Sequence, residues 1–230
     1  MVSSRDSDSR VMKEHWERKA EGYVAAASRL TCNVRAVAEA FRKHGRIQPG
    51  QQVIELGCGH GRVSEGLASL VPEVHFVGVD LTQALLDSFV LGAGSSFSSV
   101  RLICADVVSL PLADEQFDVA VSARLFQYLP DPVQTLAEAK RVLRRGGRAV
   151  IAVPNRWNPI LAMRQSNRLY SPSDIAGWLQ KSGFRNIRAT SCIFSWRAAQ
   201  WKSWLSRLEI LASVPGLRLL GGAAVAYGTK

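Results

Sequence analysis

The sequence predicts an α/β protein built on a doubly wound, mostly parallel sheet, and three observations predict it. Short apolar strands alternate with helical stretches from Gln52 to Pro154. Those strands are apolar on both faces, the pattern of parallel strands covered by helices on each side. The first of them, Gln52-Val53-Ile54-Glu55-Leu56, runs directly into Gly57-Cys58-Gly59-His60-Gly61. Closely spaced glycines there let a ligand approach the backbone at the carboxyl end of the sheet.

In chain order, Met1 to Arg10 is polar and reads as frayed. From Val11 to Arg29, Trp16, Ala20, Tyr23 and Ala27 recur at helical spacing. A second helix is expected over Val34 to His44, stopped by Gly45 and the Pro49-Gly50 turn. After the glycines a helix should run from Gly61 to Leu70. Val74 to Val79 is a second strand ending at Asp80, followed by a helix over Thr82 to Val90. Val100 to Cys104 is a third, read as buried, with Asp106 just beyond it. Phe117 to Val121 is a fourth, with a helix over Pro132 to Leu143, and Gly147 to Val153 is a fifth, stopped by Pro154. A helix over Ser173 to Lys181, a strand over Asn186 to Cys192, a Trp-rich helix over Ala198 to Ala212 and a strand over Ala223 to Tyr227 complete a seven-stranded sheet.

Composition narrows the class. A chain of 230 residues with 47% apolar content suits one domain with appendages. No apolar run approaches the ~20 residues that span a bilayer, and the N-terminus has no apolar core of a signal peptide, so the expected location is the cytoplasm. Cys32, Cys58, Cys104 and Cys192 form no C-x-x-C pair and have no zinc-like histidine spacing, so free thiols and no metal are expected. The net charge of +10 is uneven. Residues 1–139 carry 13 Lys/Arg against 17 Asp/Glu, or −4, and residues 140–230 carry 16 against 2, or +14. Such asymmetry fits nucleic acid, an anionic membrane surface, an anionic substrate or simply a solvated basic face.

Two details separate the glycine loop from its competitors. A dinucleotide fingerprint needs glycine at position 62, which is Arg62, and a P-loop needs Gly-Lys-Ser/Thr, which is absent. What remains is an acid, Glu55, two residues before G-x-G-x-G. Asp80, at the end of the second strand, stands where a carboxylate can accept both ribose hydroxyls of an adenosine. Asp106 can accept from an adenine amino group, with Leu81 and Val107 placed to sandwich the purine.

Together these motifs resemble the class I S-adenosylmethionine-dependent methyltransferases, especially the small ubiquinone/menaquinone-type branch. The resemblance runs from Trp16 onward through H-W-E-R-K-A-E-G-Y (His15 to Tyr23), V-I-E-L-G-C-G-H-G-R, F-V-G-V-D-L-T, A-D-V-V-S-L-P-L, F-D-V-A-V-S, Y-L-P-D-P, R-V-L-R-R-G-G-R and S-G-F-R-N-I. It implies a Rossmann-like domain over 46–230, capped by N-terminal helices over 1–45, with substrate-side insertions at about 155–171 and 195–220. By the same resemblance Glu55, Gly57, Cys58 and Gly59 would line the methionine side of the cofactor, Asp80 would bind the ribose, and Asp106 and Val107, with Leu81 across the purine, would bind the adenine. Ala123 and Arg124 would line the methionine end and the mouth of the acceptor pocket, and Tyr23 would close over the cofactor. One departure stands out: relatives often carry histidine before the L-P-D-P turn, where this chain has Leu125-Phe126-Gln127-Tyr128.

A hydroxyl or carbon nucleophile usually needs help losing its proton, with proximity catalysis lacking a dedicated base as the alternative. His44, His60 and His75 have ready structural roles, which leaves His15, Tyr23, Tyr128 and Tyr170 as catalytic candidates. Trp201, Trp204, Leu205, Leu208 and Leu211 share one helical face, either a core-packing face or a lid over a hydrophobic acceptor lying against an anionic membrane. Arg156, Arg164, Arg168, Arg197 and Lys202 around it would suit an anionic head group. The expected activity is O- or C-methylation of a small hydrophobic acceptor such as a quinone, polyketide, other secondary metabolite or lipid. RNA methylation, prompted by charge but lacking an RNA-binding module, and a methyltransferase fold turned to cyclisation or binding are the alternatives. The sequence leaves oligomeric state open.

Overall fold

The structure, a computed structural model, describes residues 4–27, 31–89, 97–158, 168–192 and 221–230. Two N-terminal helices, α1 (Ser4–Ala27) and α2 (Thr31–Gly45), precede β1 (Gln52–Leu56), α3 (Arg62–Leu70), β2 (His75–Asp80), α4 (Gln83–Asp87) and β3 (Ser99–Cys104). Then come β4 (Phe117–Ala123), α5 (Pro132–Val142), β5 (Leu143–Pro154), α6 (Pro172–Lys181), β6 (Arg185–Cys192) and β7 (Ala223–Thr229). The strands make one seven-stranded sheet in the order β3-β2-β1-β4-β5-β7-β6. β1 to β5 are parallel, while β7 is antiparallel to both β5 and β6. The order reverses between β1 and β4, and in open α/β sheets ligands bind outside the carboxyl ends of the strands at that reversal.

Successive strand residues point to opposite faces, and here both faces are dry. Val53, Phe76, Val119 and Val121 pack with Val37, Ala38 and Phe41 of α2 and Leu67 of α3. Their neighbours Ile54, Leu56, Ala120 and Ile151 pack with Leu136 and Ala139 of α5 and Ile175 and Leu179 of α6. Burial on both faces is why the strands read as continuous apolar runs rather than alternating ones. α2 and α3 cross closely at Gly66, where a Cβ would sit 3.1 Å from Ala38 Cβ.

Several sequence expectations need correction. Met1 to Arg10 was expected to fray, yet α1 begins at Ser4. The helix after β2 ends at Asp87, shorter than expected. β3 is the sheet edge, so Cys104 is exposed rather than buried. β5 starts at Leu143 with no loop after α5, and its register against β4 jumps from Phe117↔Leu143 to Val119↔Arg148. Gly146, at φ 78°, absorbs that bulge. The Trp-rich helix expected over Ala198 to Ala212 and most of the 155–171 insertion lie outside the described residues. No helix among the described residues is long and apolar enough to cross a membrane.

α5 has a strong start signal. Asp131 Oδ1 accepts from the backbone N–H of Val133 at 3.0 Å and of Gln134 at 3.1 Å, with Pro132 at the first helical position. Asp131→Ala is expected to cost about 1 kcal/mol of stability and Asp131→Asn only a fraction of that. Urea midpoints at constant slope check this, and equal losses in the two variants would refute a capping role.

Candidate functional site

The glycine loop leaves β1 at the sheet reversal and folds over the end of β2. The N–H groups of Gly57 and Cys58 both donate to Val79 O, at 2.8 and 3.1 Å. Gly57, Gly59 and Gly61 all have left-handed backbone, with φ of 70°, 54° and 89°. A Cβ on Gly57 would lie 2.9 Å from Leu125 Cβ, and one on Gly61 would lie 2.8 Å from the Phe89 ring. A Cβ on Gly59 would meet nothing within 4 Å. The outer glycines are therefore required by packing, while the middle one faces open space in which ligand atoms fit.

Two acids stand beneath this loop. Asp80 Oδ2 accepts from Gly59 N at 2.9 Å and Oδ1 from Thr82 N at 3.0 Å, so one carboxylate ties the loop to the end of β2. Burial pushes the Asp80 carboxyl above its usual range, opposed by those same N–H donors. Glu55 is 2% exposed and accepts from Ser64 Oγ at 2.5 Å. Burial pushes its carboxyl up to about 8, with the Ser64 hydrogen bond opposing and the charge of Asp80 adding to the rise. The buried Cys58 thiol is pushed far up by burial and by both acids, so it stays a neutral lining group.

The remaining cofactor candidates ring the same strand ends. Asp106 Oδ1 accepts from Val108 N at 3.1 Å just beyond β3, with Val107 buried and Leu81 half-buried. Ala123 ends β4, and Arg124 follows with φ 60°, an uncommon conformation for a non-glycine residue. The Arg124 N–H donates to Ala152 O at 2.9 Å, which fixes the turn at the carboxyl edge of the sheet. Strain of this kind collects at functional edges.

α1 roofs the loop through aromatic edges. Trp16 meets Tyr128 at 5.1 Å, Tyr23 at 5.4 Å and His15 at 5.7 Å between ring centroids, and Tyr23 meets His60 of the glycine loop at 5.6 Å. Glu17 Oε1 accepts from Gln83 N at 3.1 Å and pins α1 to α4. His60 is pulled below its usual range by burial and by Arg62, so it meets Tyr23 as a neutral ring. His15, Tyr23 and Tyr128 are thus gathered around Trp16. Tyr170 is not with them: it packs edge-on against Trp178 at 4.7 Å and lines a separate cleft of about 320 Å³ with Arg156, Asp174 and Lys181.

Sequence reasoning missed one member of the roof and one buried amide next to it in the chain. Trp16, read only as part of a helical stripe, is the hub of the roof. Gln127 is 3% exposed, and among the described residues neither its Nε2 nor its Oε1 has a hydrogen-bond partner. It follows Leu125, which covers Gly57, and precedes Tyr128 of the roof. The available signal was a lone amide inside the otherwise apolar and aromatic Leu125–Tyr128 run. Among the described residues no group of three or more His, Cys, Asp or Glu side chains could hold a metal ion.

Comparison with known proteins follows the same strands. The methyltransferase-domain family matches residues 54–151, from β1 into β5. The chain is 29% identical over 178 residues to the malonyl-[acyl-carrier protein] O-methyltransferase of Hahella chejuensis, a match that covers 72% of this chain and 63% of that one. It is 36% identical over 114 residues to an uncharacterised 37.1 kDa protein of transposon TN4556 from Streptomyces fradiae, covering 49% of this chain and 32% of that one. The chain therefore spans less than two thirds of the length of these relatives. Among solved structures, a possible histamine N-methyltransferase from Thermotoga maritima superposes with a TM-score of 0.66 at 20% identity, covering 95% of this chain and 99% of that one. At that identity the likeness concerns the fold.

Proposed function

We propose that this chain, a class I S-adenosylmethionine-dependent methyltransferase by fold and family match, transfers a methyl group to an oxygen or carbon nucleophile of a small, largely hydrophobic acceptor. Quinones, polyketides, other secondary metabolites and lipids are the classes that fit. The observation that carries this reading is the roof: Trp16, Tyr23 and Tyr128 close an aromatic surface over the glycine loop. Such a surface suits a flat or greasy acceptor and excludes water from the transfer.

When bound, S-adenosylmethionine would supply a methyl group activated by its sulfonium. The residues of the chain do the rest. The glycine loop would admit the cofactor, Asp80 and Asp106 would hold its adenosine, and Glu55 would offer a carboxylate to its amino-acid end. Ala123 and Arg124 border the transfer point. Tyr23, Tyr128 and His15 are the groups assigned to help the acceptor hydroxyl lose its proton, the imidazole by taking it and the phenols by hydrogen bonding to the acceptor oxygen, and the buried Gln127 amide is assigned to the acceptor's polar group.

RNA methylation is the weaker reading, because Arg46, Arg144, Arg145 and Arg148 collect at the amino ends of the strands, away from the loop. Cell extract supplied with methyl-labelled cofactor and the enzyme tests the choice. Label is expected in the organic-soluble fraction; label confined to RNA would reverse the reading, and bound cofactor with no transfer to any fraction would favour a non-transferring relative.

Gln127→Leu sharpens the test. It removes an unpaired buried amide, so the free protein should gain about 1 kcal/mol of stability. Affinity for S-adenosylhomocysteine should hold while the acceptor KM rises about tenfold. An unchanged KM would remove Gln127 from the site.

A further inference from the structure

The end of the sheet opposite the glycine loop holds a second concave site. A cavity of about 340 Å³ opens between the end of α2, the start of β4 and the α5–β5 junction. Arg46, Arg144, Arg145 and Arg148 line it with a single carboxylate, Asp118, which leaves it at +3. That carboxylate is already engaged on both oxygens: Oδ1 accepts from Arg144 Nη1 at 2.6 Å and Oδ2 from Gln52 N at 2.8 Å. Glu115 reaches Arg145 only at 3.8 Å and is shared with Lys230 at 3.2 Å.

Arg46 and Arg148 have no carboxylate within 4 Å among the described residues. Arg148 donates to His44 O at 3.1 Å, and burial together with the nearby Arg46 charge pulls its guanidinium below the usual range. His44 itself is pulled down to about 4 by burial and by Lys43, so it brings no further charge at neutral pH. Two like charges crowded in a concavity repel each other unless an anion lies between them.

The walls are preformed. Arg46 holds φ 54°, and the chain packs closely at the junction, where a Cβ on Gly147 would lie 2.8 Å from Arg144 O and 3.1 Å from Asp118 O. Guanidinium groups present planar forks that match phosphate oxygens, and the cavity falls in the usual size range of small-ligand sites.

We propose that this cavity binds a phosphate-bearing anion, held by Arg46 and Arg148 with Arg145 at its mouth. The same chemistry is offered by a soluble phosphorylated metabolite and by the headgroup of an anionic phospholipid. Because the site lies across the sheet from the glycine loop, it is separate from methyl transfer, and its test does not depend on that activity.

Calorimetry of the full chain with inorganic pyrophosphate, at ionic strength held constant with chloride, tests it. Saturable one-to-one binding is expected. The double variant Arg46→Asn, Arg145→Gln should lower affinity at least tenfold and leave S-adenosylhomocysteine binding unchanged. Asparagine tolerates the left-handed backbone of residue 46, and the Arg145 side chain is 92% exposed, so the variant keeps the fold. Competition by glycerol 3-phosphate would assign a soluble ligand. Pyrophosphate-reversible sedimentation with phosphatidylglycerol vesicles, and not with phosphatidylcholine ones, would assign the headgroup. No saturable heat, an affinity unchanged in the double variant, or anion binding seen only with RNA and not displaced by pyrophosphate would each overturn the proposal.

Discussion

Asp80→Ala is expected to weaken S-adenosylhomocysteine binding by roughly 1.5–3 kcal/mol, about tenfold to over a hundredfold, the range for hydrogen bonds to a charged group. Two causes act together. The variant loses the acceptor assigned to the ribose hydroxyls, and it frees Gly59 N and Thr82 N, which the carboxylate now ties together at 2.9 and 3.0 Å. Asp80→Asn separates the causes. One amide oxygen can still serve one of the two N–H groups, so the loop stays partly anchored, while paired acceptance from a ribose is gone. If ribose contact dominates, the asparagine variant should bind nearly as poorly as the alanine one. If loop anchoring dominates, it should recover much of the loss. Both proteins should remain folded, because Asp80 lies at a strand end. Wild-type affinity in a folded alanine variant would place the adenosine elsewhere.

The sheet was legible because its signals are local. Doubly buried strands read as unbroken apolar runs, and a backbone that must turn left-handed at residues 57, 59 and 61 calls for glycine at each. The positions of Asp80 at the end of β2 and of Asp106 two residues beyond β3 were legible for a similar reason, since both strands are recognisable. Strand order was not written in any local pattern, which is why Cys104 was placed in a buried strand when β3 is the edge. The junction at Leu143 escaped notice because Gly146-Gly147 reads as the turn before a strand, whereas Gly146 is a bulge inside β5.

Tertiary contacts supplied the rest. Trp16 looked like one more apolar position on α1, and only the docking of that helix across the loop makes it the partner of Tyr128 and Tyr23. Gln127 was passed over as the absence of a histidine; its burial without a partner turns the same residue into a feature. The positive charge was legible as an amount but not as a place. The basic residues read beside the Trp-rich segment, Arg164, Arg197 and Lys202, lie outside the described residues; among the described ones Arg144, Arg145 and Arg148 follow α5 in the chain and so fall at the amino end of β5.

Glu55 leads to the second large effect, on stability against pH. Its carboxyl is raised in the folded protein from 4.5 to about 8, chiefly by burial. Between those values the folded state keeps a proton that the unfolded chain has lost, so stability from this group is fully present below about 4.5 and falls as pH rises towards 8. The loss should be on the order of a few kcal/mol. Glu55→Gln is neutral at every pH and can still accept from Ser64, so wild type minus variant should fall as pH rises through that window, with the variant the more stable at the alkaline end; the lowered His44 and His60 titrate in both proteins and cancel in the difference. Binding should respond in the opposite sense. The Glu55 carboxylate is assigned to the amino-acid end of the cofactor, whose ammonium favours the ionised form. S-adenosylhomocysteine should therefore displace the proton, and its affinity should rise as pH approaches 8. Calorimetry at pH 7 in two buffers of different ionisation heat reads that proton directly. Release of a proton in wild type and of none in Glu55→Gln is the expected pair. Equal proton counts in the two proteins would remove Glu55 from the ligand's ionic partners and leave it as a buried acid held by Ser64.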